Sequence, residues 1–126
     1  MISIRGLVFA LLIVHSADAF AEAALSAEPV ADQVWYFRGE SGQASAANQG
    51  YTSNAGFVLT DRGVLVFDAL GTPELARQML AAIALVTDQP VRRVIVSHYH
   101  ADHVYGLQVF KAAGAKIWAR SEGQIY

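Results

Sequence analysis

Apolar residues are gathered along this chain in short runs that predict strands, and polar segments that predict turns and loops separate them. Val34 to Phe37 consists of aromatic and β-branched residues and predicts a first strand. Gly56 to Thr60 and Val64 to Asp68 are two further apolar runs, and the turn-forming triplet between them ends in Gly63, so we expect a hairpin. Residues 39–56 are rich in Ser, Gly, Ala, Asn and Gln without periodicity, which predicts a long flexible loop.

A helix is predicted between Thr72 and Asp88. Thr72 is a favourable N-cap, Pro73 suits the first helical position, and Pro90 follows shortly after the end of the segment. Apolar residues recur at helical spacing on one face, which indicates that this face packs in a core. These residues are Leu75, Met79, Ile83 and Val86.

The remaining segments continue an alternation of strands and helices. Val91 to Ser97 predicts a strand buried on both sides, because its interior is continuously apolar. Residues 111–114 end a short second helix, and Ala115 to Ala119 predicts a last strand. The order strand, hairpin, helix, strand, helix, strand indicates an α/β layered fold whose sheet is covered by helices on at least one face.

The amino-terminal segment has the pattern of a secretory signal peptide. Arg5 precedes an unbroken apolar run from Gly6 to Val14, and small residues follow. We expect cleavage after Ala21, with Ala19 and Ala23 as alternatives, so that residues 1–21 are removed and residues 22–126 fold. An amphipathic or buried helix is the less favoured interpretation. A retained membrane anchor is weaker still, because the run is shorter than the about 20 residues that span a bilayer. The expected location is periplasmic or secreted.

Composition narrows the partners and the chemistry. The net charge is −2 over 126 residues, so nothing indicates a nucleic acid partner. We expect no stable membrane span after processing. The chain contains no cysteine, so it offers neither a disulfide framework nor a thiolate ligand. A metal ion here must be held by nitrogen and oxygen.

Three of the four histidines lie within the six residues from His98 to His103, directly after a predicted buried strand. In extended backbone His98 and His100 point the same way, and Asp102 continues that side until the chain turns into a helix and brings His103 around. The ends of strands in α/β sheets commonly carry ligand sites. Imidazole and carboxylate together suit Zn²⁺, and also iron or manganese. A metal site is therefore favoured over three unrelated histidines.

This HxHxDH segment, followed by Gly106, resembles the signature of the metallo-β-lactamase superfamily. The likeness extends upstream: residues 53–56 and the hairpin that follows are similar to the opening hairpin of that family, which closes on an aspartate matching Asp68. It covers nearly all of the chain after the signal peptide. The resemblance implies an α/β fold of the αββα sandwich type, of which this chain has the N-terminal portion.

The resemblance also implies roles for individual residues. His98 and His100 would bind a first zinc ion, and Asp102 and His103 a second, with Asp102 orienting the attacking water. Asp68 would orient the cluster from behind the ligands, although a carboxylate that caps a turn or the following helix is an equally weighted alternative.

Two features near the cluster are left open. Relatives often have two consecutive glycines after the signature, whereas Tyr105 occupies the first of these positions here. Tyr99 and Tyr105 either pack or contact substrate, and packing is favoured. The loop at residues 39–56 is either a flap over substrate or an exposed connection.

The remaining family ligands, two histidines and a bridging aspartate, have no counterpart after His103, and the family fold is about twice as long. We therefore expect a fragment or a truncated form. The function that the resemblance implies is an exported zinc-dependent hydrolase that acts on a small-molecule substrate. In it, metal-activated hydroxide attacks an amide, ester or thioester, as in β-lactamase-like or quinoprotein-associated hydrolases. The alternative is a non-catalytic, periplasmic metal-binding half-domain. Such a half-fold is also expected to self-associate.

Overall fold

The computed structural model describes residues 25–122, in which six strands form one sheet in chain order. The strands are β1 (Glu28–Ala31), β2 (Val34–Phe37), β3 (Ala55–Thr60), β4 (Gly63–Phe67), β5 (Val91–Ile95) and β6 (Lys116–Trp118). The helices are α1 (Pro73–Val86), α2 (Ala101–Val104) and α3 (Leu107–Ala112). The predicted signal peptide, residues 1–21, lies outside the described residues. Within residues 25–122, no helix has the length and apolar character needed to cross a membrane.

The sheet changes from antiparallel to parallel at β4. Strands β1 to β4 form an antiparallel meander, and β5 and β6 then add in parallel. Helix α1 connects β4 to β5, and α2 and α3 connect β5 to β6, as parallel pairing requires a crossover. The carboxyl ends of β4 and β5 therefore meet at one end of the sheet. Strand β1 was not predicted, because its four residues are exposed and include Pro29, which disfavours a strand pattern.

The helix between Thr72 and Asp88 is confirmed, and so is its apolar face. The Thr72 side chain accepts a hydrogen bond from the Leu75 amide at 3.1 Å and so caps α1. Leu75, Met79 and Ile83 are buried, and Val86 is half-buried against the same core. Phe110 of α3 is fully buried in this core, together with apolar residues of the strands: Phe37, Phe57, Val64, Val66 and Val94.

The opposite face of the sheet carries exposed aromatic side chains. The register places Phe67 beside Ile95 and Ile95 beside Trp118. Phe67 is 41% exposed and Trp118 is 50% exposed, whereas their neighbours Val66 and Val94 face the helices and are buried. Among residues 25–122, the helices cover one face of the sheet, which agrees with the α/β layering expected from the sequence.

Candidate metal centre

The predicted site residues lie together at the carboxyl end of β4 and β5. Asp68 directly follows β4, and the segment from Ser97 to His100 follows β5. Helix α2 then begins at Ala101, one residue after His100, whose backbone is still extended. Asp102 therefore belongs to the first turn of α2, and the expectation that it continues the extended side of the histidines is wrong. The helix forms at this point because the chain must turn back to start its crossover to β6.

The Asp68 carboxylate is the centre of a hydrogen-bond network. It is 6% exposed, and its Oδ1 accepts from the Ser97 amide at 2.8 Å. Its Oδ2 accepts from Ser97 Oγ at 2.7 Å and lies 2.7 Å from His103 Nδ1. Helix α1 is capped by Thr72 and not by Asp68. The buried carboxylate thus joins the end of β4 to the end of β5 and to α2.

This network determines which ring nitrogens are available. Because Ser97 Oγ donates its one proton to Asp68, the His98 Nδ1 that lies 2.9 Å from Ser97 Oγ must be the donor in that contact. His103 Nδ1 likewise donates to Asp68. When each ring is neutral, its lone pair then resides on Nε2, which leaves that atom available as a metal ligand. Ser97, which was not among the predicted site residues, transmits the effect of Asp68 to His98.

The backbone after β4 is held in an unusual conformation by α2 and α3. Asp68 and Leu70 have φ values of 60° and 63°, in the left-handed region that a bulky residue such as Leu70 rarely adopts. The Ala69 amide donates to the His103 carbonyl at 2.8 Å, and the Gly106 amide donates to the Leu70 carbonyl at 3.1 Å. Both bonds join this segment to the segment that carries the predicted ligands, and they keep the Asp68 carboxylate facing His103.

The imidazole rings lie side by side. The ring centroids of His98 and His100 are 4.6 Å apart, and those of His98 and His103 are 4.1 Å apart. His103 Nε2 lies 3.6 Å from Asp102 Oδ2. Two ligand atoms bound to one tetrahedral zinc ion at about 2.0–2.2 Å would be about 3.4 Å apart. The Asp102 and His103 donor atoms are therefore spaced as two ligands of one such ion.

The donor set fits zinc in its chemistry, with imidazole nitrogen and carboxylate oxygen in adjacent positions. Within residues 25–122, no group of three or more histidine, aspartate or glutamate side chains is arranged to hold one metal ion together. The assignment of His98 and His100 to one ion, and of Asp102 and His103 to another, therefore stays a prediction.

A cavity of about 460 Å³ lies beside Asp102. Its lining comes from the long loop before β3 and from the segments around α1 and α2: Ala44, Gly50, Thr52, Gly71, Thr72, Ala101, Asp102 and Tyr105. The Ser53 hydroxyl donates to the Asp102 carbonyl and ties the loop to α2. Ser53 was not predicted as a site residue, because a serine in a polar loop carries no signal without its partner.

The two tyrosines of the cluster do not pack in the core. Tyr99 is 66% exposed and Tyr105 is 62% exposed, so the favoured interpretation of packing is wrong. The Tyr99 ring meets His100 edge-on, with ring centroids 5.1 Å apart. Tyr105 lines the cavity beside Asp102. Each exposed ring therefore lies next to a predicted site residue, Tyr99 beside His100 and Tyr105 on the cavity that Asp102 also lines.

Known proteins resemble this chain in sequence. The sequence profile of the metallo-beta-lactamase superfamily matches residues 49–125. A linear primary-alkylsulfatase of Pseudomonas sp. (strain ATCC 19151) is 27% identical over 64 residues, which cover 46% of this chain and 12% of that protein.

Two solved structures share the fold. A metallo beta lactamase from Erythrobacter litoralis, crystallised with beta mercaptoethanol in the active site, superposes with a TM-score of 0.65 at 24% identity, covering 82% of this chain and 44% of that one. A double mutant of the sec-alkyl sulfatase PisA1 gives a TM-score of 0.62 at 24% identity, covering 80% of this chain and 16% of that one. The chain thus spans less than half the length of each of these three proteins.

Proposed function

This chain belongs to the metallo-beta-lactamase superfamily, and from that premise we propose that it carries one half of the zinc site of an exported metallo-hydrolase. The observation that supports this most is the Asp68 network, which leaves Nε2 of both His98 and His103 available as a ligand atom. Histidines that bind a metal ion usually donate their other ring N–H to a carboxylate, a carbonyl or a water, and the Asp68 network has this form.

In this proposal His98 and His100 bind one zinc ion, and Asp102 and His103 bind a second. Bound zinc supplies a water of lowered pKa and a Lewis acid that polarises the substrate. Asp68 holds the His103 ring directly and the His98 ring through Ser97. The bond from the Ser53 hydroxyl to the Asp102 carbonyl holds the backbone that presents the Asp102 carboxylate.

The substrate is proposed to be a small molecule that enters the cavity beside Asp102 and Tyr105. An amide, ester or thioester is expected, and the names of the two sulfatase relatives add a sulfate ester to these classes. Tyr105 would contact the non-reacting part of such a substrate, because its exposed ring offers an apolar surface at the cavity wall. Removal of residues 1–21 would place this site in the periplasm or outside the cell.

A non-catalytic metal-binding half-domain is the second candidate. It is favoured by one observation: within residues 25–122, the sheet face that carries Phe67 and Trp118 is exposed. In that case the same four side chains bind metal without turnover. The exposed face with Phe67 and Trp118 would then be covered by a second copy, which is the expected self-association.

Metal analysis and activity of the same preparation distinguish these candidates. The full chain is purified, its zinc content is measured by mass spectrometry, and hydrolysis of a chromogenic β-lactam, a thioester and an aryl sulfate is followed. His98→Ala and His100→Ala should each lower the zinc content by weakening the first site, whereas Gln108→Ala, on the exposed side of α3, should leave it unchanged. Zinc with turnover supports the hydrolase, and zinc without turnover supports the half-domain. Zinc content that is unchanged in both histidine variants would contradict both.

A further inference from the structure

A second cavity lies at the opposite end of the sheet from the histidines. Its volume is about 280 Å³, and it is formed where β4, β5 and β6 begin. The lining residues are Thr60, Arg62, Gly63, Val64, Leu65, Arg92, Arg93, Gly114 and Lys116. Strand β5 separates this cavity from Ser97 and His98, a span of roughly 17 Å at 3.3 Å per residue. The two sites are therefore physically distinct.

The charged side chains that line this cavity are all positive. Four of the nine arginine and lysine residues of the chain line it, and no carboxylate does. Arg62, Arg92, Arg93 and Lys116 form no ion pair with a carboxylate in the described part of the chain, whereas Arg77 is paired with Glu74 and Arg120 with Glu122. Cations gathered without counter-charges repel one another, and a bound anion would relieve that repulsion.

An irregularity in the sheet brings the two adjacent arginines to the same cavity. Val64 pairs with Val91, but the next residue, Leu65, pairs with Arg93, so Arg92 is an extra residue in β5. In a regular strand successive side chains point to opposite faces, and a bulge redirects one of them. Both arginines consequently line the cavity.

Two contacts hold the arginine side chains in place. Gly63 has a φ of +112°, and a Cβ built at this position would lie 2.6 Å from Arg92 Cγ, so the absence of a side chain allows the Arg92 stem to lie against the turn. The Arg93 guanidinium lies 4.6 Å from the centre of the Trp118 ring, a stacking arrangement that leaves its N–H groups free to donate. The Arg93 guanidinium is thus positioned beside the Trp118 ring before any ligand binds.

We propose that this cavity binds a small soluble polyanion with phosphate-type oxygens, such as inorganic phosphate, pyrophosphate or a short phosphate ester. Guanidinium groups donate in pairs to phosphate oxygens, and two of them with an ammonium group match a doubly or triply charged anion. The volume lies just below the range of sites for drug-sized ligands, so a compact anion suits it better than an extended one. A concave cavity also favours a free anion over the flat surface of a lipid bilayer.

Fluorescence of Trp118 provides the test. Pyrophosphate is titrated into the full-length chain carrying Trp35→Phe, so that Trp118 is the remaining tryptophan, at constant ionic strength maintained with sodium chloride. A saturable change in fluorescence is expected, because anion binding moves the Arg93 guanidinium relative to the ring. Arg92→Gln should weaken the apparent affinity about tenfold or more, and Lys116→Gln should weaken it in the same direction. Arg77→Gln is the matched control and should leave the affinity unchanged.

Several results would overturn the proposal. These are the absence of saturation, an equal response to sodium chloride alone, and an equal loss in Arg77→Gln. The chain could also sediment with phosphatidylglycerol vesicles. If pyrophosphate does not prevent this sedimentation, the cavity would be assigned to a lipid headgroup instead. His98→Ala should bind pyrophosphate as tightly as the parent chain, and this separates the polyanion site from the zinc proposal. Loss of binding in that variant would mean that pyrophosphate acts at the histidines.

Discussion

His103 Nδ1 lies 2.7 Å from Asp68 Oδ2, although 35 positions separate the two residues in the chain. The contact exists because Asp68 ends β4, while β5, which pairs with β4 in parallel, leads into α2. The Asp68 carboxylate thereby orients His103, a predicted ligand of the second metal ion, directly. It orients His98, a predicted ligand of the first ion, through Ser97. The two halves of the predicted zinc site are consequently coupled within these residues.

Asp68→Asn should weaken zinc binding about 10- to 100-fold, the usual cost of removing a group that orients metal ligands. The amide has one acceptor oxygen, so it cannot satisfy the Ser97 amide, the Ser97 hydroxyl and the His103 ring together. Competition with a chromophoric chelator measures the affinity. Asp61→Asn, in the turn between β3 and β4, is the control. Equal affinity in Asp68→Asn and the parent chain would contradict the orienting role.

Ser97→Ala should release the His98 ring from a single tautomer. The variant retains the amide bond from residue 97 to Asp68 Oδ1 but lacks the oxygen to which His98 Nδ1 donates. Nitrogen-15 NMR of the metal-free protein should show a tautomer mixture at His98, and zinc affinity should fall about tenfold. Ser97→Thr should restore both properties. A ring that keeps one tautomer in Ser97→Ala would exclude this role for Ser97.

Gly106→Ala should destabilise the fold by about 3 kcal/mol or more. The added Cβ would overlap the Ala69 carbonyl oxygen and lie 2.7 Å from Ala76 Cβ, and neither neighbour is free to move. The free energy of unfolding from urea denaturation is the measurement. At Gly114 an added Cβ would have no atom within 4 Å, and φ is +90°. Gly114→Ala is therefore expected to cost only about 1–2 kcal/mol, the strain of a left-handed backbone conformation. Equal costs for the two variants would refute the steric explanation.

The exposed sheet face should drive self-association. Phe67 and Trp118 present adjacent apolar surface on one face, and removing such surface from water is favourable. The double variant Phe67→Gln with Trp118→Gln should shift the sedimentation distribution toward the monomer. Leu85→Gln changes an apolar residue of α1 that is 89% exposed and serves as the control. A parent chain that is monomeric at all concentrations would rule this out.

Tyr51 should ionise at unusually high pH. Burial, with the added effect of Glu28 and Tyr36, raises the pKa of Tyr51 to about 12 from 10.0. The folded state holds this proton more tightly than the unfolded state, so the stabilisation is complete below pH 10 and is lost as the pH rises toward 12. Ultraviolet absorbance of tyrosinate measures the titration. Tyr51→Phe should remove the step of the titration curve that occurs at the highest pH. If this step persists in the variant, it belongs to another tyrosine.

Much of the local structure was predictable from the sequence, because it depends on residues that are close together in the chain. Thr72 and Pro73 define the start of α1 through capping and a preset φ, and the apolar spacing from Leu75 to Ile83 identifies its buried face. The hairpin followed from two apolar runs around a triplet ending in glycine. Strand β1 was missed because its stability comes from pairing with β2 and not from its own composition.

The sequence by itself determined the family, the order of most elements and the crowding of three histidines with Asp102, since each of these depends on residues close in the chain. Only the tertiary structure decided that Asp68 reaches His103 and Ser97, that Ser53 holds α2, and that Arg92 and Arg93 share a cavity with Arg62 and Lys116. The physical reason is that these contacts depend on the parallel register of β4, β5 and β6 and on one bulge. Register is set by packing among distant segments, which no local pattern of residues specifies.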